Sequence, residues 1–166
     1  MTEDDVFERT KDAYLCLLRP TMREGIYRQE LASVLSIAPE VPDDIIAALI
    51  LGSGWRERVI GFALAMARTP ANFVAHVKKS LKTPRGIAIT PACAFLAVLA
   101  RTGEFEMLLS FADDLDRTVF DGEMEWAIEK MMFHAGLCPD DVSGRGPYYG
   151  QVFEDYIEIF NWIRTA

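Results

Sequence analysis

Residues 61–69 read GFALAMART and residues 94–102 read AFLAVLART, so one apolar stretch with the same Ala-Arg-Thr ending occurs twice, 33 residues apart. A third, weaker copy lies another 33 residues along, at 127–136 (AIEKMMFHAG), where His134 takes the place of the two arginines. Internal similarity at such a period is typical of proteins built from repeated supersecondary units.

Each copy ends at Pro or Gly and is followed by large apolar residues at positions i, i+1, i+4 and i+8. That spacing places an apolar stripe on one side of a helix. Each unit is therefore predicted to be a helical hairpin. The predicted first helices cover about 54–68, 90–102 and 121–135, and the predicted second helices about 71–82, 104–118 and 150–164.

Helix-end signals support this division of the chain. Arg68, Arg101 and His134 are predicted to face the partial negative charge at the carboxyl ends of their own helices. Three residues are predicted N-caps, and a small residue in each first helix predicts close approach to a neighbouring helix. The caps are Ser53, Thr90 and Asp121; the small residues are Gly61, Ala94 and Ala127.

The sequence predicts a single all-α domain over residues 1–166. Residues 53–165 form three hairpins stacked as an α-solenoid, in which no unit buries its apolar face without the next. Residues 1–52 show no convincing copy of the repeat, and we predict that they form an atypical N-terminal helical cap. The helices of this cap are predicted at about 3–19, 22–37 and 42–51.

Composition narrows the class of protein. Hydrophobic residues make up 51% of the chain, well above the level of disordered proteins. The acidic start does not resemble a secretory signal, and no apolar stretch is long and uninterrupted enough to cross a membrane. The three cysteines are unpatterned, which fits a reducing compartment. We therefore expect a cytoplasmic protein without membrane contact.

Charge is divided along the chain. Residues 58–103 contain seven Lys or Arg and no Asp or Glu, whereas residues 104–129 contain nine acidic residues and one basic residue, Arg117. The net charge of -8 argues against general binding of nucleic acid, which leaves only the basic block at 58–103 for that role.

The acidic group that spans the end of one helix and the start of the next permits three interpretations: a solvated face, a surface that attracts a basic protein partner, or a cation site. The last is the weakest because the spacing is not that of an EF-hand loop. Its partner-binding candidates are Asp113, Asp114, Asp116 and Glu123, with Asp121 and Glu125 nearby.

Two other places are candidate binding sites. Residues 137–149 are an insert between the helices of the third hairpin, and Arg145, Tyr148 and Tyr149 within it are of types enriched at protein interfaces. Trp55, Arg56 and Arg58 at a helix start could form an anion site from guanidinium groups and backbone N–H groups, or could serve packing and ion pairing.

No motif points to a reaction. The histidines, His76 and His134, lie in no HExxH pattern, the cysteines form no CxxC, and Cys138 follows His134 by four residues without a third member of a triad. We assign no catalytic residue, no metal and no cofactor.

The stretch GSGWRERVIGFALAMA, residues 52–67, resembles HEAT-like helical repeats, and its first eight residues, 52–59, correspond to a narrower signature. More narrowly, it is similar to a bacterial family, itself uncharacterised, with a Gly-Asp-Trp-Arg-x-Arg-Leu signature that opens a helix in mid-chain. In this chain Gly54 replaces the Asp, which removes a capping carboxylate, and Val59 replaces the Leu. The resemblance implies a HEAT-like, right-handed solenoid, and related helical families include immunity proteins that bind toxins.

These observations predict a non-enzymatic protein that binds another protein of basic charge. The most specific form of this prediction is an immunity protein that neutralises a basic toxin. The alternative is a HEAT-like enzyme or binder that acts on nucleic acid through the basic block at 58–103. The direction taken by Lys78, Lys79, Lys82 and Arg85 discriminates between them, because a nucleic-acid site requires these side chains to share a surface with Trp55.

Overall fold

A computed structural model describes residues 1–10, 13–18, 26–100, 105–138 and 146–166 of the chain. Over these residues the fold is all-α and contains no strand. Its helices are α1 (Glu3–Thr10), α2 (Ala13–Leu18), α3 (Ile26–Glu30), α4 (Ala32–Ile37), α5 (Asp43–Ile50), α6 (Trp55–Met66), α7 (Val74–Leu81), α8 (Ile89–Ala100), α9 (Phe105–Asp113), α10 (Glu123–His134) and α11 (Gly146–Thr165).

The three copies of the apolar stretch form α6, α8 and α10, within a few residues of the predicted bounds. Phe62, Phe95 and Ile128, which occupy the same position of the repeat, are all fully buried. The rings of Phe62 and Phe95 lie 6.3 Å apart between centroids. The repeated stretch therefore marks three neighbouring core helices, with α8 between α6 and α10.

The second helices also form, as α7, α9 and α11. A short 3₁₀ turn, Pro70–Phe73, precedes α7, so this helix begins three residues later than predicted. The last helix begins at Gly146 rather than at 150, which places Tyr148 and Tyr149 in its first turn instead of in a loop. Residues 146–149 of the expected loop therefore belong to the helix.

Close approach at the small repeat position is confirmed for Gly61. A Cβ atom added to this glycine would lie 2.7 Å from the backbone N of Ile50 and 3.0 Å from Ile50 Cγ1. Helices α5 and α6 are consequently packed at a distance that only glycine allows at this position.

The last helix departs from nearest-neighbour stacking. Helix α11 packs extensively on α8 and also contacts α6, the first helix of the predicted first hairpin. Phe160 meets the ring of Phe95 edge-on at 6.0 Å, and the Tyr156 hydroxyl donates to the Leu17 carbonyl in α2. In an open solenoid each unit contacts only the adjacent ones. The C-terminal helix here instead joins the core to the N-terminal helices.

The predicted N-caps are wrong. The N-cap of α6 is Gly54 rather than Ser53, and Thr90 lies inside α8. Asp121 adopts φ 55° in a 3₁₀ turn, and Gly122 at φ 80° is the N-cap of α10. Helices α6 and α10 begin at a glycine N-cap without a side-chain capping hydrogen bond.

The role predicted for Arg68 also needs correction. Its guanidinium donates to the carbonyls of Ala38, Pro39 and Val41, at 2.7, 3.2 and 3.1 Å, and pairs with Asp43. These carbonyls follow α4, so Arg68 binds the end of a different helix from its own. Arg101 lies outside the described residues.

Candidate functional site

The principal candidate is a surface that we call the acidic ledge, defined as residues 113–125 at the end of α9 and the start of α10. Its exposed carboxylates are Asp113, Asp114, Asp116, Asp121 and Glu125. Arg117, the one basic residue of this stretch, reaches Asp113 at 3.5 Å, and the Asp113 side chain stays 81% exposed. A helix end, a turn and a helix start thus place these acidic side chains on one short segment.

Asp116 is held in an ionised form by its own turn. Its Oδ1 accepts hydrogen bonds from the Thr118 hydroxyl at 2.7 Å and from the Thr118 N–H at 3.0 Å. These two donors lower the pKa of Asp116, because they stabilise the charged carboxylate. The turn therefore presents a fixed negative charge to solvent.

Glu123 turns inward instead of facing a partner. Its Oε1 accepts from the Thr90 hydroxyl at 3.2 Å, which links the starts of α8 and α10. Burial raises the pKa of Glu123, and the bond from Thr90 offsets this only in part. Glu123 was predicted to bind a partner, but in this structure its side chain connects two core helices.

The segment predicted as an anion site is arranged differently. Arg58 is only 2% exposed, and its guanidinium donates to the carbonyls of Gly52, Ser80 and Thr83 at 2.8, 2.8 and 2.7 Å, and to the Thr83 hydroxyl. Burial lowers the pKa of Arg58. This side chain joins the segment before α6 to the end of α7, and backbone carbonyls take the donors that an anion would need.

The start of α6 is filled by a carboxylate of the chain itself. The Glu57 carboxylate lies against Gly54, where a Cβ atom would collide with it, and a Cβ on Gly52 would lie 2.6 Å from Glu57 Cβ. Its Oε2 atom is buried and has no hydrogen-bond partner among the described residues. The two glycines make room for the Glu57 side chain, whose carboxylate lies beside the start of α6. The anion-site interpretation does not fit this geometry.

Trp55 and Arg56 form a half-exposed aromatic cluster with Tyr14. The Tyr14 and Trp55 rings meet edge-on at 6.2 Å, and the Arg56 guanidinium lies 5.3 Å from the centroid of each ring. The cluster connects α2 to α6. Its contacts are those of packing and cation–π interaction.

The basic block contributes several of its cations to the fold. Besides Arg58 and Arg68, Lys78 lies 5.4 Å from the centroid of the Phe111 ring in α9, and Arg85 donates to the Ser53 carbonyl at 2.9 Å. Lys79 and Lys82 are exposed. Lys78 therefore contacts α9, whereas Arg85 contacts the segment just before α6, so these two side chains contact different elements.

A charged cluster that the sequence did not reveal connects α10 to α11. Glu154 Oε1 lies 3.1 Å from Lys130 Nζ and 2.9 Å from His134 Nε2, and the His134 ring stacks on Phe153 at 5.4 Å. Lys130 is buried. The spacing of Lys130 and His134 by one helical turn was a usable signal, but their acceptor lies in the next helix. This cluster directs His134 to Glu154.

Three predicted interface residues are not placed by the structure. Arg145 and most of the loop before α11 lie outside the described residues, and so do the side chains of Tyr148 and Tyr149.

Within the described ranges, no group of three or more His, Cys, Asp or Glu side chains is arranged to hold a metal ion. No described helix combines the length and apolarity needed to cross a membrane. Comparison with known proteins finds no matching family, no similar curated protein and no similar solved structure.

Proposed function

We propose that this chain binds a basic protein partner through the acidic ledge, in the manner of an immunity protein that neutralises a basic toxin. The observation that carries the proposal is a set of exposed carboxylates on the short segment that runs from the end of α9 to the start of α10. They belong to Asp113, Asp114, Asp116, Asp121 and Glu125. Concentrated charge of one sign raises the rate at which an oppositely charged partner is captured.

The surrounding architecture supports a binding role. The ledge is carried between α9 and α10, and α10 is anchored in the core by Met124, Ile128 and Met131, all buried. Glu123 and Thr90 join the base of the ledge to α8. Rigid support of this kind limits the entropy lost when a surface binds its partner. A HEAT-like relationship for the hairpins belongs to the same proposal and rests on the repeated stretch.

The alternative, binding of nucleic acid by the basic block at 58–103, receives less support. Arg58, Arg68 and Lys78 contact the fold itself, and a phosphate-binding surface depends on several cations directed to solvent.

The test measures association with a panel of purified basic nuclease toxins, at low and at high salt, together with inhibition of each toxin. Triple charge reversal at Asp113, Asp114 and Asp116 to Lys is expected to slow association by about tenfold or more at low salt and to matter little at high salt. The matched control reverses Glu3, Asp4 and Glu158, which are also exposed and give the same change in net charge. Equal effects of the two triple variants, or no binding of any basic toxin, would contradict the proposal.

A further inference from the structure

The turn between α9 and α10 carries an exposed aromatic side chain on a backbone conformation that is energetically unfavourable for it. Phe120, Asp121 and Gly122 have φ values of 53°, 55° and 80°, three left-handed residues in succession. For a residue with a bulky side chain this conformation is unfavourable, and the cost is usually accepted only where burial or function compensates. The Phe120 side chain is 49% exposed, so burial compensates only in part.

A second exposed apolar residue directly follows the glycine that Phe120 approaches. A Cβ atom on Gly86 would lie 3.8 Å from Phe120 Cε1, which places the ring against Gly86, and the next residue, Ile87, is 43% exposed. Among the described residues, four large apolar side chains are exposed: Met1, Leu15, Ile87 and Phe120. Two of these four, Phe120 and Ile87, are thus linked through Gly86, which the Phe120 ring approaches and which Ile87 follows in the chain, and we call them the apolar pair.

The apolar pair adjoins the exposed carboxylates of the acidic ledge. Asp121 directly follows Phe120, and Asp116 precedes it by four residues in the connection between α9 and α10. An apolar contact beside a charged rim is the arrangement of protein interfaces in which a few large side chains dominate the affinity. The rim charges chiefly govern association, and the apolar contact chiefly governs dissociation.

We propose that Phe120 and Ile87 are the anchor of the partner-binding surface and insert into an apolar depression on a protein whose surrounding surface is rich in Lys and Arg. This inference rests on the proposed function and specifies the partner's chemistry. A second copy of this chain does not fit, since like charges would face one another across the contact. An anionic membrane surface is disfavoured by the same repulsion.

The test uses a displayed library of random peptides selected on the full chain, followed by binding kinetics of the enriched peptides. Enriched peptides are expected to combine Lys or Arg with aromatic or aliphatic residues. Phe120→Asn is expected to speed their dissociation by about tenfold or more while leaving association within about twofold. Ile87→Ala, which changes no left-handed residue, is expected to speed dissociation by about threefold or more.

Stability measurements separate loss of the anchor from loss of the fold. Asn tolerates the left-handed conformation better than Phe, so Phe120→Asn is expected to keep or raise the melting temperature while it weakens binding. The matched control is Leu15→Asn in α2, which removes a 54% exposed leucine away from the ledge and is expected to leave dissociation unchanged. A lowered melting temperature with binding lost would overturn the proposal unless Ile87→Ala reproduces the loss in a stable protein.

The remaining outcomes are also decisive. Basic peptides that respond to the Asp113, Asp114 and Asp116 reversal but not to Phe120→Asn would overturn the anchor and leave the proposed function standing. Apolar peptides without basic residues that respond to Phe120→Asn would overturn the stated partner chemistry. Enrichment of no peptide that depends on the ledge or the apolar pair would count against both proposals.

Discussion

The hydroxyl of Tyr156 in α11 donates a hydrogen bond to the backbone carbonyl of Leu17 in α2, joining residues 139 positions apart in the chain. Both groups are buried, and the Tyr156 ring stacks on Phe160 at 5.9 Å. One tyrosine therefore connects the last helix to the N-terminal helices, and the two ends of the described chain stabilise each other.

Tyr156→Phe is expected to lower the free energy of unfolding by about 1–3 kcal/mol, because the Leu17 carbonyl loses its donor while the ring contact is kept. Urea unfolding measures this as a lower midpoint at unchanged slope. Tyr14→Phe is the matched control, since its ring packs on Trp55 at the surface, and a change within about 0.5 kcal/mol is expected there. Equal midpoints for wild type and Tyr156→Phe would show that the bond contributes nothing.

Gly61→Ala is expected to destabilise the fold by about 1–3 kcal/mol, because the added methyl would lie 2.7 Å from the Ile50 backbone N and must push α5 away from α6. Gly150→Ala in α11 is the control. No atom of the described residues lies within 4 Å of its added Cβ, and replacing a helical glycine by alanine is expected to stabilise by about 0.5–1 kcal/mol. Thermal unfolding of the pair should give melting temperatures that shift in opposite directions.

Arg58→Lys is expected to lower the free energy of unfolding by about 2–3 kcal/mol. A lysine cannot reproduce the fork that donates to Gly52, Ser80 and Thr83, and buried carbonyls would lose charged donors. Arg56→Lys, two residues away at an exposed position, is expected to change the free energy of unfolding by no more than about 1 kcal/mol. Comparable losses from the two substitutions, measured by urea unfolding, would refute the structural role of Arg58.

Glu123→Gln is expected to stabilise the protein at neutral pH. Burial raises the pKa of Glu123 above its ordinary value, so the folded state holds a proton at a pH where the unfolded state has lost it, and stability falls as pH rises through that interval. Gln keeps an acceptor for Thr90 and removes the buried charge. The advantage of the variant should vanish in acid, below the ordinary carboxyl pKa.

Asp116→Asn provides a comparison of opposite sign in the same unfolding series. The bonds from Thr118 lower the pKa of Asp116, so its contribution is present above the ordinary carboxyl pKa and is lost as pH falls through the lowered value. Asp116→Asn should therefore be less stable than wild type at neutral pH and equal to it in strong acid. A pH-independent difference for either variant would contradict the assigned shift.

Much of the local structure could be predicted because its causes are local. The apolar spacing around Phe62, Phe95 and Ile128 reports which side of each helix is buried, and Pro70 and Gly136 limit how far a helix can run. The bounds of α6, α8 and α10 follow from these signals. The concentration of acidic residues at 113–125 is likewise a property of the sequence alone.

Side-chain partners could not be predicted because they lie on other elements. The same arginine pattern that suggested anion binding at Arg58 is satisfied by carbonyls at the end of α7, and Glu57 fills the helix start instead. Arg68 was expected to face its own helix and binds carbonyls near Ala38. Glu123, adjacent in sequence to exposed carboxylates, turns inward to Thr90 because the register of α10 on α8 places it there.

The sequence by itself determined that this chain is helical, where its repeated helices lie and where its negative charge is concentrated. Tertiary structure alone decided that α11 crosses to α6 and α2, that Lys130, His134 and Glu154 meet, and that Phe120 and Ile87 are exposed together. The physical reason is that the periodicity of apolar residues identifies which face of a helix is buried, but not which other helix packs on that face. Which helix buries that face depends on contacts between residues far apart in the chain.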